Sequence, residues 1–164
     1  MRGLDLLATD TVSQEHREEA ERLNQLGDDS LEEGFFRLAE LRFLEAFEMD
    51  RSNPVYELNL GRAILSNPKR APAVRVRMAR VHLELAAKRM PENALALYYL
   101  GLCQTRGDDP LNARRNLDEA IRLKDGRFPE ATRLLGELGG STAKNKRPAT
   151  TQKRGLFGWL RTNT

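Results

Sequence analysis

Three Leu-Gly pairs recur along this chain of 164 residues, and each is followed by the same kind of apolar set. The pairs are Leu26-Gly27, Leu60-Gly61 and Leu100-Gly101. The sets are Ala39, Phe43, Ala46, then Ala79, Leu83, Ala86, and then Ala113, Leu117, Ala120. The glycine precedes the first alanine by 12 residues in the first and third units and by 18 in the second. The chain therefore contains three related units, the middle one with an insertion of six residues.

The spacing within each set predicts a helix. Residues at i, i+4 and i+7 share one helical face, so each set is the buried stripe of a helix, and the glycine belongs to the helix before it. A glycine on one of two antiparallel helices allows their backbones to approach closely. Such a hairpin cannot bury all its apolar surface alone, so hairpins must stack. We expect an all-α solenoid of three hairpins, at about 20–53, 54–93 and 94–127.

Helix-ending and helix-starting signals agree with these boundaries. Asn53-Pro54 and Asp109-Pro110 each place a capping side chain before a proline suited to the first helical turn. Gly34 and Gly107 lie where the first helix of a hairpin should end. The segment that holds the six-residue insertion, residues 66–72, contains two prolines and several polar residues, which predicts a loop.

The chain beyond the third unit changes character twice. Residues 129–138 carry three leucines on one side and predict a short capping helix, which completes a repeat domain at 1–140. From Gly139 the apolar periodicity stops, so residues 141–164 predict a flexible basic tail. The tail ends in a cluster of basic and large apolar residues: Lys153, Arg154, Leu156, Phe157, Trp159 and Leu160. Three interpretations stay open: an anchor on an anionic membrane surface, a short docking motif, and a segment that folds back onto the repeats.

The phased units resemble the tetratricopeptide repeat, a helix-turn-helix unit of 34 residues. The third unit carries the resemblance best, with Leu97, Leu100, Gly101, Ala113, Leu117 and Ala120 at signature positions. The first unit adds Leu23, Gly34 and Phe36, and the second adds Pro91. The repeats, basic linker and terminal apolar element together also resemble the C-terminal region of bacterial multidomain proteins that carry a J-domain or a signalling receiver. The His-Pro-Asp triplet of a J-domain is absent, so the resemblance implies no co-chaperone activity.

The resemblance implies a concave groove lined by the second, fifth, ninth, twelfth and thirteenth positions of each repeat. The candidate groove residues are Glu21, Asn24 and Asp28 in the first unit, Leu58, Arg62 and Leu65 in the second, and Leu95, Tyr98, Leu102 and Arg106 in the third. This groove would be acidic at one end, apolar in the middle and basic at the other, which suits an extended or helical peptide. In the alternative interpretation the chain's own N-terminal segment, or a second copy in a homo-oligomer, covers the apolar positions.

Net charge is distributed unevenly. The overall value is +3, composed of −9 over residues 1–60, +6 over 61–140 and +6 over 141–164. This polarity indicates charged partners. The basic residues of the insertion and the next helix have no aromatic residues for base stacking beside them, so nucleic-acid binding is not predicted.

No catalytic or metal-binding motif is found in the sequence. His16 and His82 lie 66 positions apart, and Cys103 has no basic neighbour in sequence that would activate it. We therefore expect no enzymatic activity, no metal and no cofactor. The chain starts without a recognisable signal peptide, and its longest apolar run is about half of a membrane span, so we expect a cytoplasmic protein.

These observations predict a non-enzymatic adaptor or scaffold that binds a partner protein in its groove and makes a second contact with its tail. Two alternatives remain. One is a secretion-type chaperone that holds a client protein, a class in which three such repeats in a chain of this length are typical. The other is a membrane-peripheral regulator anchored by Leu156–Leu160.

Overall fold

The computed structural model describes residues 13–144, with side chains to residue 139. This part of the chain forms seven helices and no strand, so the prediction of an all-α fold is confirmed. The helices are α1 (Gln14–Glu32), α2 (Phe36–Met49), α3 (Pro54–Ser66), α4 (Pro72–Arg89), α5 (Ala94–Arg106), α6 (Pro110–Leu123) and α7 (Pro129–Lys144). Helices α1 and α2, α3 and α4, and α5 and α6 pack as hairpins, and α7 packs on α6.

The helix ends follow the local sequence signals. The Asn53 side chain accepts a hydrogen bond from the Val55 N–H at 3.0 Å, and the Asp109 side chain accepts one from the Asn112 N–H at 3.4 Å. Gly34 has a φ of +80°, a left-handed conformation that glycine adopts without steric cost, and it turns the chain between α1 and α2. The predicted insertion loop occupies residues 67–71, between α3 and α4.

Each Leu-Gly glycine lies directly against the large residue of the next helix. A Cβ added at Gly27 would lie 2.6 Å from Phe43 Cε1, and one at Gly61 would lie 2.8 Å from Leu83 Cγ. In the third hairpin a Cβ at Gly101 would lie 2.9 Å from Leu117 Cγ. All nine residues of the three alanine-large-alanine stripes are fully buried. The glycine therefore makes room mainly for the large residue of the next helix.

The hairpins stack so that α3 occupies the centre. Helices α1, α3, α5 and α7 lie side by side, since α3 contacts both α1 and α5, and α5 contacts α7. Helices α2, α4 and α6 form the outer layer, and each contacts the first helix of the next unit. Nine of the 13 residues of α3 are buried, which makes it the main core element of the described part.

Helix α7 is longer than the predicted cap and begins like another repeat. It continues to Lys144, across the predicted boundary at residue 140, although the sequence predicted a linker from Gly139. Ala131, Leu134 and Leu138 are buried and anchor its first turns, and each further turn adds backbone hydrogen bonds to an existing helix. The helix also contains two further Leu-Gly pairs, and one of them, Leu135-Gly136, follows Gly101 by 35 residues, about one repeat length. A Cβ at Gly136 would meet no described atom within 4 Å, so no second helix packs there in the described part.

We predict that Gly101→Ala and Gly136→Ala change stability in opposite directions. Gly101→Ala forces its Cβ against Leu117 and should lower the free energy of unfolding by about 1–3 kcal/mol, as overpacking does. Gly136→Ala meets open space within a helix and should raise it by about 0.5–1 kcal/mol. Urea unfolding followed by circular dichroism measures both. Equal shifts of the two midpoints would contradict the packing described.

Candidate partner-binding surface

Polar side chains join α1 to α3 in a ladder. The Tyr56 hydroxyl donates to Glu21 Oε2 at 3.1 Å. The Asn59 Nδ2 donates to Asn24 Oδ1 at 2.9 Å, and Arg62 Nη2 forms a salt bridge with Asp28 Oδ1. The paired residues lie 34 or 35 positions apart, which is one repeat length. The ladder therefore joins equivalent faces of neighbouring units.

This ladder corrects the predicted groove in its first half. Asn24 is buried and bonded to Asn59, and the opposite charges of Asp28 and Arg62 neutralise one another. At the end of the groove that the sequence predicted to be acidic, most of the polar side chains are thus paired within the protein. Glu21 remains exposed, although it accepts the Tyr56 hydrogen bond.

The prediction that the apolar centre of the groove is an open surface is also wrong. Leu58 is 4% exposed and Leu65 is 1% exposed, because α3 lies between α1 and α5 and contributes both leucines to the main core. Residues 1–12, the N-terminal segment considered above as an alternative cover, lie outside the described part. Neither leucine presents a side chain to a partner in this conformation.

Arg106 joins α5 to the end of α3 and is still partly available. Its Nη1 donates a hydrogen bond to the Leu65 carbonyl oxygen at 3.1 Å. That carbonyl lies in the last turn of α3, where the helix dipole favours a cation. Desolvation lowers the pKa of Arg106, and the nearby charge of Arg75 adds to this effect. The side chain is positioned by α3 while the residue as a whole remains exposed.

The open half of the concave face lies on α5 and α7. Leu95 is 45% exposed, and Tyr98 and Leu102 are half-buried. A cavity of about 320 Å³ separates the two helices here; it is lined by Tyr98, Leu102, Thr105, Arg106, Glu130, Arg133, Leu134 and Glu137. Three of the ten predicted groove residues, Tyr98, Leu102 and Arg106, therefore border one depression, and Leu95 lies on the same helix.

Tyr98 is held in place by two aromatic neighbours. Its ring centroid lies 5.0 Å from that of Phe128 and 5.1 Å from that of Tyr99, the latter in an edge arrangement. Such pairs contribute about 0.5–1.5 kcal/mol beyond the burial of their area. Desolvation raises the pKa of Tyr98 above its ordinary value of 10.0, so its hydroxyl stays neutral and can donate a hydrogen bond at pH 7.

Helix α7 contributes lining residues that the sequence analysis missed, because it treated residues 129–138 only as a cap. Glu130, Arg133 and Glu137 are the second, fifth and ninth positions counted from Pro129, which are groove positions in the earlier units. The Leu135-Gly136 pair was the available signal. Alignment of this pair with the first three pairs places Glu130, Arg133 and Glu137 at groove positions.

The insertion loop is fixed to α2 through a buried carboxylate. Glu40 accepts hydrogen bonds from Asn67 Nδ2 at 2.8 Å and from Arg70 Nε at 3.0 Å, and it forms a salt bridge with the same guanidinium. Burial would raise the pKa of Glu40, but the hydrogen bonds from Arg70 and Asn67 and the charge of Arg70 outweigh it and leave the pKa below its ordinary value. The loop is therefore a positioned element of the surface.

Cys103 and His82, which the sequence analysis considered for chemistry, each lie close to a polar group in the described part. Burial raises the pKa of the Cys103 thiol, and its Sγ lies 3.4 Å from the Val76 carbonyl oxygen. His82 Nδ1 lies 3.7 Å from the buried carboxylate of Glu57, a neighbour that the sequence did not indicate. Within residues 13–144, no three His, Cys, Asp or Glu side chains converge in a way that suits a metal ion.

The tail residues proposed for a second contact lie outside the described residues: Lys153, Arg154, Leu156, Phe157, Trp159 and Leu160. Among the helices that are described, none has the length and apolar character needed to cross a membrane.

Comparisons with known proteins identify the fold. No protein-family model and no curated protein matches the sequence. Among solved structures, the first TPR of Spaghetti (RPAP3), bound to the HSP90 peptide SRMEEVD, matches 77% of this chain and 95% of its own, with 19% identity and a TM-score of 0.68. The fold is a tetratricopeptide-repeat (TPR) solenoid.

Two further solved structures match a similar part of the chain. The Sgt2 TPR domain from Aspergillus fumigatus matches 84% of this chain and 94% of its own, with 20% identity and a TM-score of 0.68. The Yersinia enterocolitica type III secretion chaperone SycD, in complex with a peptide of the translocator YopD, matches 79% of this chain and 99% of its own, with 13% identity and a TM-score of 0.65.

We predict that Arg62 and Asp28 are energetically coupled. Their side chains are largely shielded from solvent and join two repeats, so a double-mutant cycle with Arg62→Met and Asp28→Asn should give a coupling energy of about 0.5–2 kcal/mol in urea unfolding. The control is the exposed pair of Arg122 and Glu119, one turn apart on α6, which should couple more weakly. A coupling no larger than that of the control would contradict the ladder.

We also predict a pH signature for Glu40. Because its pKa is lower in the folded state than its ordinary value near 4.5, its stabilising effect is complete above that value and is lost as the pH falls through the folded pKa. The difference in melting temperature between the wild type and Glu40→Gln should therefore narrow as the pH drops from 7 to 3. Glu48→Gln, at an exposed position of α2, is the matched control for the chemical change. A melting-temperature difference between the wild type and Glu40→Gln that stays constant with pH would contradict the lowered pKa of Glu40.

Proposed function

We propose that this protein is a non-enzymatic adaptor that holds a segment of a partner protein across α5 and α7. The observation that carries the proposal is the depression of about 320 Å³ between these helices. Apolar and aromatic side chains line it together with charged side chains of both signs. A small number of anchors in a recess, bordered by polar groups, is the usual arrangement of a surface that binds a peptide segment.

The residues around the depression indicate the chemistry of the segment. Tyr98 and Leu102 suit an apolar anchor, and the exposed Leu95 extends the apolar surface along α5. Arg106 and Arg133 suit acidic groups of the partner, while Glu130 and Glu137 at the same depression suit basic ones. An extended or helical segment with one apolar anchor and charges of both signs fits this pattern.

Two of the similar structures contain a bound peptide, the HSP90 peptide on RPAP3 and the YopD peptide on SycD, and they support a peptide as the ligand class. The chaperone-binding members of the family hold a terminal carboxylate with a set of Lys, Asn and Arg. In this chain only Asn59 matches that set, and its amide is buried and bonded to Asn24. We therefore do not propose a terminal carboxylate as the ligand.

A secretion-type chaperone is the second candidate, favoured by the similarity to SycD. It would hold an unfolded client in a fixed stoichiometry, whereas an adaptor would bind a short segment of a folded partner. Several expectations from the sequence remain predictions. They are a second contact through the tail residues 153–160, anchoring to a membrane surface, homo-oligomer formation, a cytoplasmic location and the resemblance to J-domain or receiver proteins.

The test is affinity capture from a lysate of the source cells with the tagged full chain and two variants. Leu95→Asp and Arg133→Glu change the open surface without touching the core. We expect each variant to reduce the captured partner about tenfold, which corresponds to the loss of one important contact. Leu111→Asp makes the same chemical change at a leucine that is 82% exposed on α6, and it should capture as the wild type does.

Melting curves of the four proteins confirm that folding is equal. Partner capture by Leu95→Asp and Arg133→Glu at the wild-type level would contradict the proposed surface. Limited proteolysis of the captured partner separates the two candidates, since a chaperone client is cleaved throughout its length and an adaptor's partner stays folded.

A further inference from the structure

A second open feature lies at the far edge of the first repeat, where α1 turns into α2. Gly34, with its positive φ, makes the turn and is followed by two aromatic residues. Phe35 is 58% exposed at the start of α2, and Leu38 is also exposed one turn later. An exposed phenylalanine next to an exposed leucine gives this edge an apolar surface that the hairpin does not use.

These side chains form a cleft with a cation from another part of the chain. The Phe35 cleft, of about 230 Å³, is lined by Gly34, Phe35, Phe36, Arg37, Leu38 and Lys69. Pockets for small-molecule ligands usually measure about 300–1,000 Å³, so this cleft is smaller and suits one large side chain. A single buried anchor of this kind commonly contributes much of the affinity of a protein-protein contact.

The six-residue insertion brings Lys69 to the cleft. The Lys69 N–H donates to Asn67 Oδ1 at 3.0 Å, and Asn67 in turn donates to the buried Glu40 of α2. Arg70 is engaged with the same carboxylate. The loop is therefore fixed at both of these residues, and Lys69 lies between them with an exposed side chain.

The electrostatic surroundings of the cleft favour anionic groups. Its two charged lining residues, Arg37 and Lys69, are both cations. Glu32 and Glu33 precede the turn, but neither lines the cleft. The cleft also lies at the start of α2, where the N-cap residue Phe35 provides no side-chain cap. The positive end of the helix dipole there has the same sign as the two cations.

We propose that the Phe35 cleft docks a segment of a partner protein that carries one large apolar side chain flanked by carboxylates. The chain's own tail does not complement it, because residues 141–164 contain six basic and no acidic side chains. A symmetric second copy that used this cleft would bring Arg37 and Lys69 of both copies into one interface, where like charges repel. This docking site is separate from the depression between α5 and α7 and does not depend on the function proposed for it.

The test uses three synthetic capped pentapeptides and the ¹⁵N-labelled full chain. The first is Glu-Asp-Phe-Asp-Glu, the second has alanine in place of phenylalanine, and the third is Lys-Arg-Phe-Arg-Lys. In amide chemical-shift titrations, we expect the first peptide to give saturable shifts at residues 34–38 and 69. The alanine peptide should bind at least about fivefold more weakly, as loss of an anchor does, and the basic peptide should give no saturable shifts at these residues.

Two variants and one control locate the binding. Phe35→Ala and Lys69→Glu, both at exposed positions, should each weaken the first peptide about fivefold. Lys88→Glu makes the same charge change on α4. Lys88 lies 16 residues beyond Pro72, the first residue of α4, which is roughly 24 Å along the helix axis, so this variant should leave the affinity for the first peptide unchanged.

Four outcomes would overturn the proposal. The first is the absence of saturable shifts with the acidic phenylalanine peptide, and the second is equal binding of the basic peptide. The third is an equal loss of affinity in Lys88→Glu and Lys69→Glu. The fourth is a shift of the free protein's signals at residues 34–38 on Trp159→Ala or on dilution, which would identify the tail or a second copy as the occupant.

Discussion

The contact between a glycine on one helix and a large apolar residue on the next determines the geometry of each hairpin. Gly27 faces Phe43, Gly61 faces Leu83 and Gly101 faces Leu117, and in each case a methyl group on the glycine would lie within 3 Å of the neighbouring side chain. Because the contact recurs at repeat spacing, the hairpins have similar shapes and can stack. The layers of inner and outer helices follow from it.

The second constraint is the polar ladder between α1 and α3, which decides how much of the concave face is open. Hydrogen bonds and an ion pair at one-repeat spacing engage Asn24, Asp28 and Arg62 within the protein. Together with the burial of Leu58 and Leu65, they make the first half of the groove part of the structure. The open surface is therefore displaced toward α5 and α7, at the edge of the described part, where fewer described neighbours cover the side chains.

Much of the fold could be predicted from the sequence because the decisive contacts repeat. The structure confirms the predictions that rest on local or periodic sequence signals. These are the burial of the nine stripe residues, the caps at Asn53 and Asp109, and the loop at 67–71. The burial of Leu58 and Leu65 could not be predicted, since helical periodicity does not indicate which neighbouring helix covers a given face. The Glu40–Arg70 pair spans 30 residues and depends on the path of an irregular loop, which no pattern in the sequence encodes.

Helix α3 is the structural centre of the described part, whereas α7 contacts only α5 and α6 there, so α7 should be the less stable of the two helices. Native-state hydrogen exchange of the full chain, resolved by residue, measures this difference. Amides of α3 should exchange most slowly, with a free energy of opening equal to that of global unfolding, and amides of α7 should open at a lower free energy. Exchange of the α3 amides as fast as those of α7 would contradict it.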